Sequence, residues 1–319
     1  MRALVTGATG FVGRYMARLL LNHGYNVCGT YYHVPLSCSD LIGVHLEKID
    51  ITDKSSVKRI ISNFMPDEIY HLAGVAVTSG VNKEIYYTTN FGGTIILLDV
   101  VHEVVPNCRV LVVGSSISYG QVPKECQPIQ EDQELRPINH YAASKAAADM
   151  AACAYAAEEL HVVRARPFNH TGPGQSTGFV CSRLAKLVAE VALGKKDPVI
   201  EVGNIESARD FTDVRDVVKA YYLLLLKGRA GEAYNVCKQK AYSIKEIISI
   251  LTNFAGVDIQ IKHNQELLRK SDIPILLGSR KKILADTCWE PDILFEKTLF
   301  DIFSYWKQVM SCGGTKRKE

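Results

Sequence analysis

Short apolar runs alternate with stretches of helical period through the first half of the chain. This rhythm constrains the fold more than any other feature of the sequence. Residues 2–6, 26–31, 68–72, 109–114 and 162–165 are the apolar runs. Phe11 to Asn22, Ser55 to Asn63, Thr94 to Val105 and Tyr141 to Glu159 carry the helical period. Strands apolar on both faces belong in a parallel sheet, and each return to such a sheet needs a crossover helix. The rhythm therefore predicts an α/β fold, a Rossmann-like doubly wound parallel sheet. Beyond Pro167 the character changes: a loop of turn formers (Phe168 to Gln175) leads into helices expected near 178–193, 214–226, 244–255 and 295–309. The expected division is a sheet body over 1–166, rejoined by 212–236, and a smaller interleaved α/β lobe over 167–211 and 237–319.

Composition excludes several classes of function. The 319 residues carry 37 basic and 34 acidic side chains, a formal net charge of +3, which is too balanced for a nucleic-acid binder. No apolar run approaches the ~20 residues needed to span a bilayer, and the first residues enter a strand rather than a secretory leader. Nine scattered cysteines fit a reduced, cytoplasmic protein with mostly buried thiols better than a disulfide framework. The histidines show no metal-ligand spacing, so no metal is expected. Only Lys316-Arg317-Lys318 is locally basic, and it reads as a frayed end.

Gly7-x-x-Gly10-x-x-Gly13 lies where the first strand turns into the first helix. Glycines there allow a tight turn and close approach of a pyrophosphate, to which the helix N-terminus offers free N–H groups and positive dipole. The turn is accordingly expected to bind a dinucleotide, and the body to be its domain. About 20 residues on, an NAD enzyme places an acid against the ribose 2′-hydroxyl. Here Thr30-Tyr31-Tyr32-His33 contains none, which leans toward NADP and leaves NAD open; Arg14 and His33 are the nearby cations. Asp50 is placed to accept from an adenine amino group, whereas Thr52 or Asp53 suits a helix N-cap better. Leu72-Ala73-Gly74 closes the run 68–72 with small residues, as a cofactor lying against the backbone requires.

Tyr141 and Lys145 stand one helical turn apart on one face. An ammonium near a phenol favours the phenolate, so the expectation is a tyrosine pKa lowered from ~10. With 15 tyrosines, about one such spacing arises by chance, so context decides. The run Arg109 to Gly114 delivers Ser115 and Ser116 to the C-terminal end of a strand, where ligands of open α/β sheets bind. A serine hydroxyl there can hydrogen-bond a carbonyl while the tyrosine protonates it.

Glycine turn, strand-end serine and Tyr-x-x-x-Lys occur in the order found in the extended short-chain dehydrogenase/reductase family (the NAD-dependent epimerase/dehydratase family), and the chain resembles that family over essentially its whole length. The resemblance rests on Gly7 to Gly13, Asp50, Leu72 to Gly74, Gly114 to Ser116, Tyr141 to Lys145 and Arg166 to Asn169. It implies Ser115, Tyr141 and Lys145 as catalytic residues, Tyr141 as acid/base and Lys145 as its partner. It implies cofactor contacts from Gly7, Gly10, Phe11, Val12, Gly13, Asp50, Ile51, Leu72, Ala73, Tyr141, Lys145 and Pro167. The second half resembles members acting on GDP-linked sugars, through Asn169 to Gln175, Gly178 to Val180, Val202 to Asn204, Ala208 to Asp216 and Leu268 to Pro274.

A sugar nucleotide needs cations for its pyrophosphate, and Arg209 and Arg269 suit bidentate phosphate contacts. Ser115, Ser116, Asn169, Val180, Lys186 and Asp272 complete the expected substrate set; for Arg209 a salt bridge to the adjacent Asp is the competing reading, and for Lys186 an ordinary surface charge. Dehydratases of this family carry a Glu two residues after the catalytic Ser/Thr, and here that position is Ile117. The resemblance is stronger to the reductases of GDP-4-dehydro-6-deoxy-D-mannose. The expected reaction is thus NAD(P)H-dependent reduction at C4 of a GDP-linked 4-keto-6-deoxy sugar to a GDP-D-rhamnose-type product. An NAD-dependent epimerase or 4,6-dehydratase is the alternative, and a non-catalytic binding subunit a remote third. The family pairing through helices near Thr94 and Tyr141 implies a homodimer.

Overall fold

A computed structural model describes residues 1–33, 39–76, 82–265 and 273–312. Arg269, Asp272 and the basic segment 316–318 lie outside the described residues. The body is a seven-stranded parallel sheet of β1 (Arg2–Thr6), β2 (Asn26–Tyr31), β3 (His45–Lys48), β4 (Glu68–His71), β5 (Arg109–Val113), β6 (Val162–Pro167) and β10 (Ala233–Val236). Its order is β10-β6-β5-β4-β1-β2-β3. The chain starts at β1, winds outward through β2 and β3, then crosses to β4 on the other side. The switch in winding direction falls between β1 and β4, where doubly wound sheets open a crevice at their C-terminal ends.

The alternation along each strand sorts the core into two layers. Ala3, Val5, Leu111, Val163 and Ala165 pack with α1 (Phe11–Asn22) and α7 (Val214–Lys227) on one face. Leu4, Ile69, Val110, Val112 and Val162 pack with α2 (Lys54–Phe64) and α4 (Gly93–Val104) on the other. Successive side chains of a strand point to opposite faces, so a run apolar throughout serves both layers. On the α2 side, α3 (Lys83–Ile85) and a π-helical segment, Tyr86–Gly92, lead into α4, and α5 (His140–Ala157) follows β5. Caps set several helix starts: Asp53 accepts from Ser55 N for α2, and Asn139 accepts from Ala142 N at 2.8 Å for α5.

The remaining elements form a smaller assembly. β7 (Asn169–Thr171), β9 (Ala208–Asp213), β11 (Ala241–Ser243) and β13 (Ile275–Leu276) make one sheet, and β8 (Val199–Val202) pairs with β12 (Gln260–His263). A separate apolar cluster joins α6 (Val180–Ala192), α8 (Ile244–Ala255) and α10 (Phe295–Cys312). A short helix, α9 (Lys281–Thr287), packs back against the body through Ile283. No helix among the described residues is long and apolar enough to cross a membrane.

Candidate active site

The turn after β1 is built from necessity. Gly7 has φ +70°, and a Cβ there would lie 3.0 Å from the backbone of Ala73, across the β1/β4 switch. A Cβ on Gly13 would come within 2.2 Å of the Gly7 carbonyl oxygen. Both positions therefore exclude a side chain, and the turn packs backbone against backbone. Gly10 begins α1 without a capping side chain, and no acid stands in the first turn. Orphan N–H groups with positive dipole and no internal counter-charge suit a pyrophosphate. The residues present thus fit a dinucleotide.

The adjoining strand ends are tied to this turn by a hydrogen-bond chain. Thr94 Oγ1 donates to Asn90 O at 2.6 Å, so it accepts from His71 Nε2 at 3.1 Å. His71 Nδ1 then accepts from Thr6 Oγ1 at 2.8 Å, which leaves Thr6 Oγ1 to accept the N–H groups of Leu72 and Ala73, each at 3.1 Å. Donor bookkeeping fixes the imidazole as the neutral Nε2–H form. Burial, with Lys145 nearby, pushes its pKa down to about 3.

Ser115 caps the short turn Ser116–Tyr119 by accepting from Ile117 N at 3.4 Å. Its hydroxyl also hydrogen-bonds the phenol of Tyr141. Tyr86 of the π segment sets its ring edge-on to Tyr141, 6.1 Å between centroids. The expected lowering of the Tyr141 pKa is not what the structure gives. Burial raises it above its ordinary value, Ser115 opposes the rise and Tyr86 adds to it. Burial also draws Lys145 down to about 8, with Asp149 opposing. Desolvation is the largest cause for both groups, so the phenol is held neutral while the lysine is still largely an ammonium at neutral pH.

Other sequence-derived positions fall into distinct environments. Val12 packs on the core beside α1, and Phe11 stacks with His170, 6.4 Å between centroids and 5° between planes. Tyr15 Oη donates to Pro173 O at 2.8 Å, so the loop after β6 folds over the start of α1. Asp50 Oδ1 accepts from Thr52 N and Oγ1 at 2.9 and 2.7 Å, and the α2 cap is Asp53. The Ile51 side chain is core, 2.9 Å from where a Gly93 Cβ would stand, leaving only its backbone for a ligand. Arg14 pairs with Asp40. Pro167 is buried at the end of β6, Ser116 is buried, and Asn169 is exposed beside them.

The expected phosphate cations are less uniform. Arg209 is half-buried on β9 with Nη1 donating to Ala208 O at 2.9 Å. Its neighbour Asp210 is wholly buried and accepts instead from Lys238 N and Gln239 N, both at 2.9 Å. Lys186 lies 3.6 Å from Glu190 and over the Trp306 ring, the geometry of a paired surface charge. Val180 opens α6, half-buried.

The structure adds residues the sequence reading did not single out for a role. Asn90 accepts from Val75 N at 2.8 Å and donates to Ser144 Oγ at 3.0 Å, tying the loop after β4 to α5. Asp149, Arg164 and Arg166 form a buried ion cluster beneath Ser115. Lys145-x-x-x-Asp149 and the two arginines in an otherwise apolar strand were the available signal, because a buried charge demands a partner.

Comparison with known proteins now decides the lineage. The profile of the GDP-mannose 4,6 dehydratase family matches residues 4–302. The chain belongs to this family. Members include dehydratases, reductases and epimerases of nucleotide sugars, on a Rossmann-like sheet. The chain is 33% identical over 309 residues to the GDP-6-deoxy-D-mannose reductase of Pseudomonas aeruginosa, covering 96% of this chain and 97% of that protein. It is 31% identical over 287 residues to the GDP-6-deoxy-D-talose 4-dehydrogenase of Aggregatibacter actinomycetemcomitans, covering 89% and 90%. Its fold superposes on a solved structure of RMD from Pseudomonas aeruginosa complexed with NADPH, with TM-score 0.84, 31% identity and 97% and 99% coverage.

Proposed function

We propose that this family member is an NADP-dependent reductase of the C4 ketone of a GDP-linked 4-keto-6-deoxyhexose. The observation that carries the reading is an intact Ser115–Tyr141–Lys145 set with Ile117 in place of an acid. A 4,6-dehydration must move a proton off carbon, and an isoleucine beside Ser115 cannot carry it. A ketone reduction asks less of the protein. The similarity to a reductase, to a 4-dehydrogenase and to a fold complexed with NADPH supports the same direction.

The residues divide the work as follows. The Gly7–Gly13 turn and the N-terminus of α1 hold the pyrophosphate, with Phe11, Val12, Leu72, Ala73 and Pro167 around the cofactor and Asp50 and Ile51 toward its adenine. A bound reduced nicotinamide supplies the hydride. Ser115 Oγ donates to the ketone oxygen and orients it. Tyr141, held neutral by burial, gives its proton to that oxygen as negative charge develops there. Lys145, as the ammonium, stabilises the phenolate left behind. Arg209, Asn169, Val180, Lys186, Ser116, Arg269 and Asp272 are the candidate contacts to the sugar nucleotide, Lys186 by giving up its pairing with Glu190. The absence of an acid after β2 favours a 2′-phosphate, hence NADP over NAD. A homodimer through α4 and α5 is part of the reading, supported by Met150, 59% exposed on α5. So is a reducing, cytoplasmic setting, supported by the free thiols Cys28, Cys108, Cys181 and Cys237 in the core.

The test offers the purified protein two substrates in the presence of NADPH. GDP-4-keto-6-deoxymannose should be reduced with one NADPH oxidised per product, and GDP-mannose should remain intact. Conversion of GDP-mannose to the ketosugar without a separate dehydratase would overturn the assignment.

A further inference from the structure

Asp149 lies one helical turn beyond Lys145, on the same face of α5, and is only 2% exposed. Its Oδ1 accepts from Arg164 Nη1 at 2.6 Å and from Arg166 Nη2 at 2.9 Å, and its Oδ2 accepts from Arg166 Nε at 3.0 Å. Each arginine is anchored in turn. Arg164 donates to Gly231 O through Nε and Nη2, at 3.2 and 2.8 Å. Arg166 Nη1 donates to Tyr119 Oη at 3.0 Å and to Glu131 O at 2.9 Å. On the far side, a Cβ at Gly114 would sit 3.2 Å from Asp149 Oδ2. Gly114 immediately precedes Ser115, so the missing side chain makes room for the carboxylate directly behind the serine.

One carboxylate on α5, the helix that carries Tyr141 and Lys145, thus reaches both the end of β5, just before Ser115, and the arginines of β6. Buried ion clusters are a poor way to gain stability, since desolvation offsets the attraction. This one contains two guanidinium groups against one carboxylate, an excess of positive charge one turn from a lysine that is to remain an ammonium. We propose that Asp149 is a positioning residue for the Tyr141–Lys145 pair, fixing α5 against β5 and β6 and keeping the proton on Lys145 against the two arginines behind it. The proposal rests on the acid–base reading of Tyr141 and Lys145. Burial already weakens the hold of Lys145 on its proton, and Asp149 is the group that opposes this. The other titratable groups facing the pair are His71 from β4, Tyr86 from the π segment and Tyr221 from α7, with Glu131 behind Arg166. His71 is held neutral and burial raises the Tyr221 phenol, so Asp149 supplies the field that a substitution can change.

Two variants move that field in opposite directions. Asp149→Asn keeps the shape and removes the negative charge; Arg164→Met leaves Asp149 paired to Arg166 alone and less neutralised. In the free protein, the acylation rate of Lys145 by an amine-directed reagent, followed by peptide mass spectrometry against pH, reports the neutral amine whatever the substrate is. At neutral pH, with Lys145 at about 8 in wild type, Asp149→Asn should label Lys145 about fivefold faster, the effect of a drop of one pKa unit, and Arg164→Met should label it more slowly. The alkaline limb of kcat/KM should move to lower pH in Asp149→Asn and to higher pH in Arg164→Met, with Asp149→Glu restoring the wild-type direction. If Asp149→Asn does not fold, Arg164→Met decides alone. Unchanged labelling in the folded variants overturns the proposal and leaves the acid–base reading standing. Undiminished turnover by Tyr141→Phe overturns that reading, and the proposal with it.

Discussion

At the scale of residues, the site turns on how burial treats neighbouring charges. Tyr141 and Lys145 were legible because their spacing is a property of the helix, and Ser115 because strand ends are where such sheets bind ligands. Their proton affinities were not legible, because desolvation depends on what the rest of the chain packs around them. Raising the phenol keeps its proton in place before any reaction, and Lys145 at about 8 is still mostly an ammonium at neutral pH. Tyr141→Phe should lower kcat by about 10²–10⁴-fold, with KM for the sugar nucleotide little changed and the thermal midpoint close to wild type. A loss of folding instead would mean the hydroxyl is structural. Asp149, Arg164 and Arg166 escaped attention for a related reason: a carboxylate on α5 and two arginines on β6 become one cluster only when α5 lies on β6.

At the scale of elements, the crevice is assembled from strand ends whose places along the chain, though not their order in the sheet, the apolar rhythm predicted. Strands β1 and β2 and helix α8 begin and end where the periodicity placed them, the last because Ser243 and Glu246 form a capping box and Gly256 closes it. The stretch before α4 was less readable. Tyr86–Gly92 is π-helical, and no side-chain period announces one residue inserted per turn. Its product is Asn90, turned to both Val75 and Ser144. The Thr6–His71–Thr94 chain makes a further demand, since it closes only with a neutral imidazole.

The folded pKa of His71 is about 3 against an ordinary 6.5, so the unfolded chain binds the proton first on acidification. Stability from this group is complete above pH ~6.5 and is lost progressively as pH falls toward 3. Differential scanning calorimetry of wild type and His71→Gln should therefore show the wild-type midpoint falling more steeply across that window. Parallel curves would show that the imidazole is not held as described.

At the scale of the molecule, the aspartates of the Ala208–Asp216 run bind the smaller assembly together. The sequence reading took this run as a sugar-nucleotide signature. Asp210 gathers the N–H groups of Lys238, Gln239 and Gly278, Asp213 caps α7 and accepts from Thr298 of α10, and Asp216 accepts from Ile293 N. Such pins were hidden because each partner lies far along the chain.

Burial raises Asp210 to about 7 from 3.8, so here the folded state binds the proton more tightly. Its contribution to stability is full below pH ~3.8 and declines as pH rises to 7. The midpoint of wild type relative to Asp210→Asn should fall across that interval and level off above it; a constant difference would contradict the pKa shift.

The proposed reaction is hydride delivery to one carbon of one class of sugar. The direct measurement supplies NADPH deuterated at its transferable position together with GDP-4-keto-6-deoxymannose, and reads the product by NMR. The account predicts one deuterium per product, at C4, with one cofactor oxidised for each. Recovery of unlabelled sugar with the cofactor still reduced would contradict it.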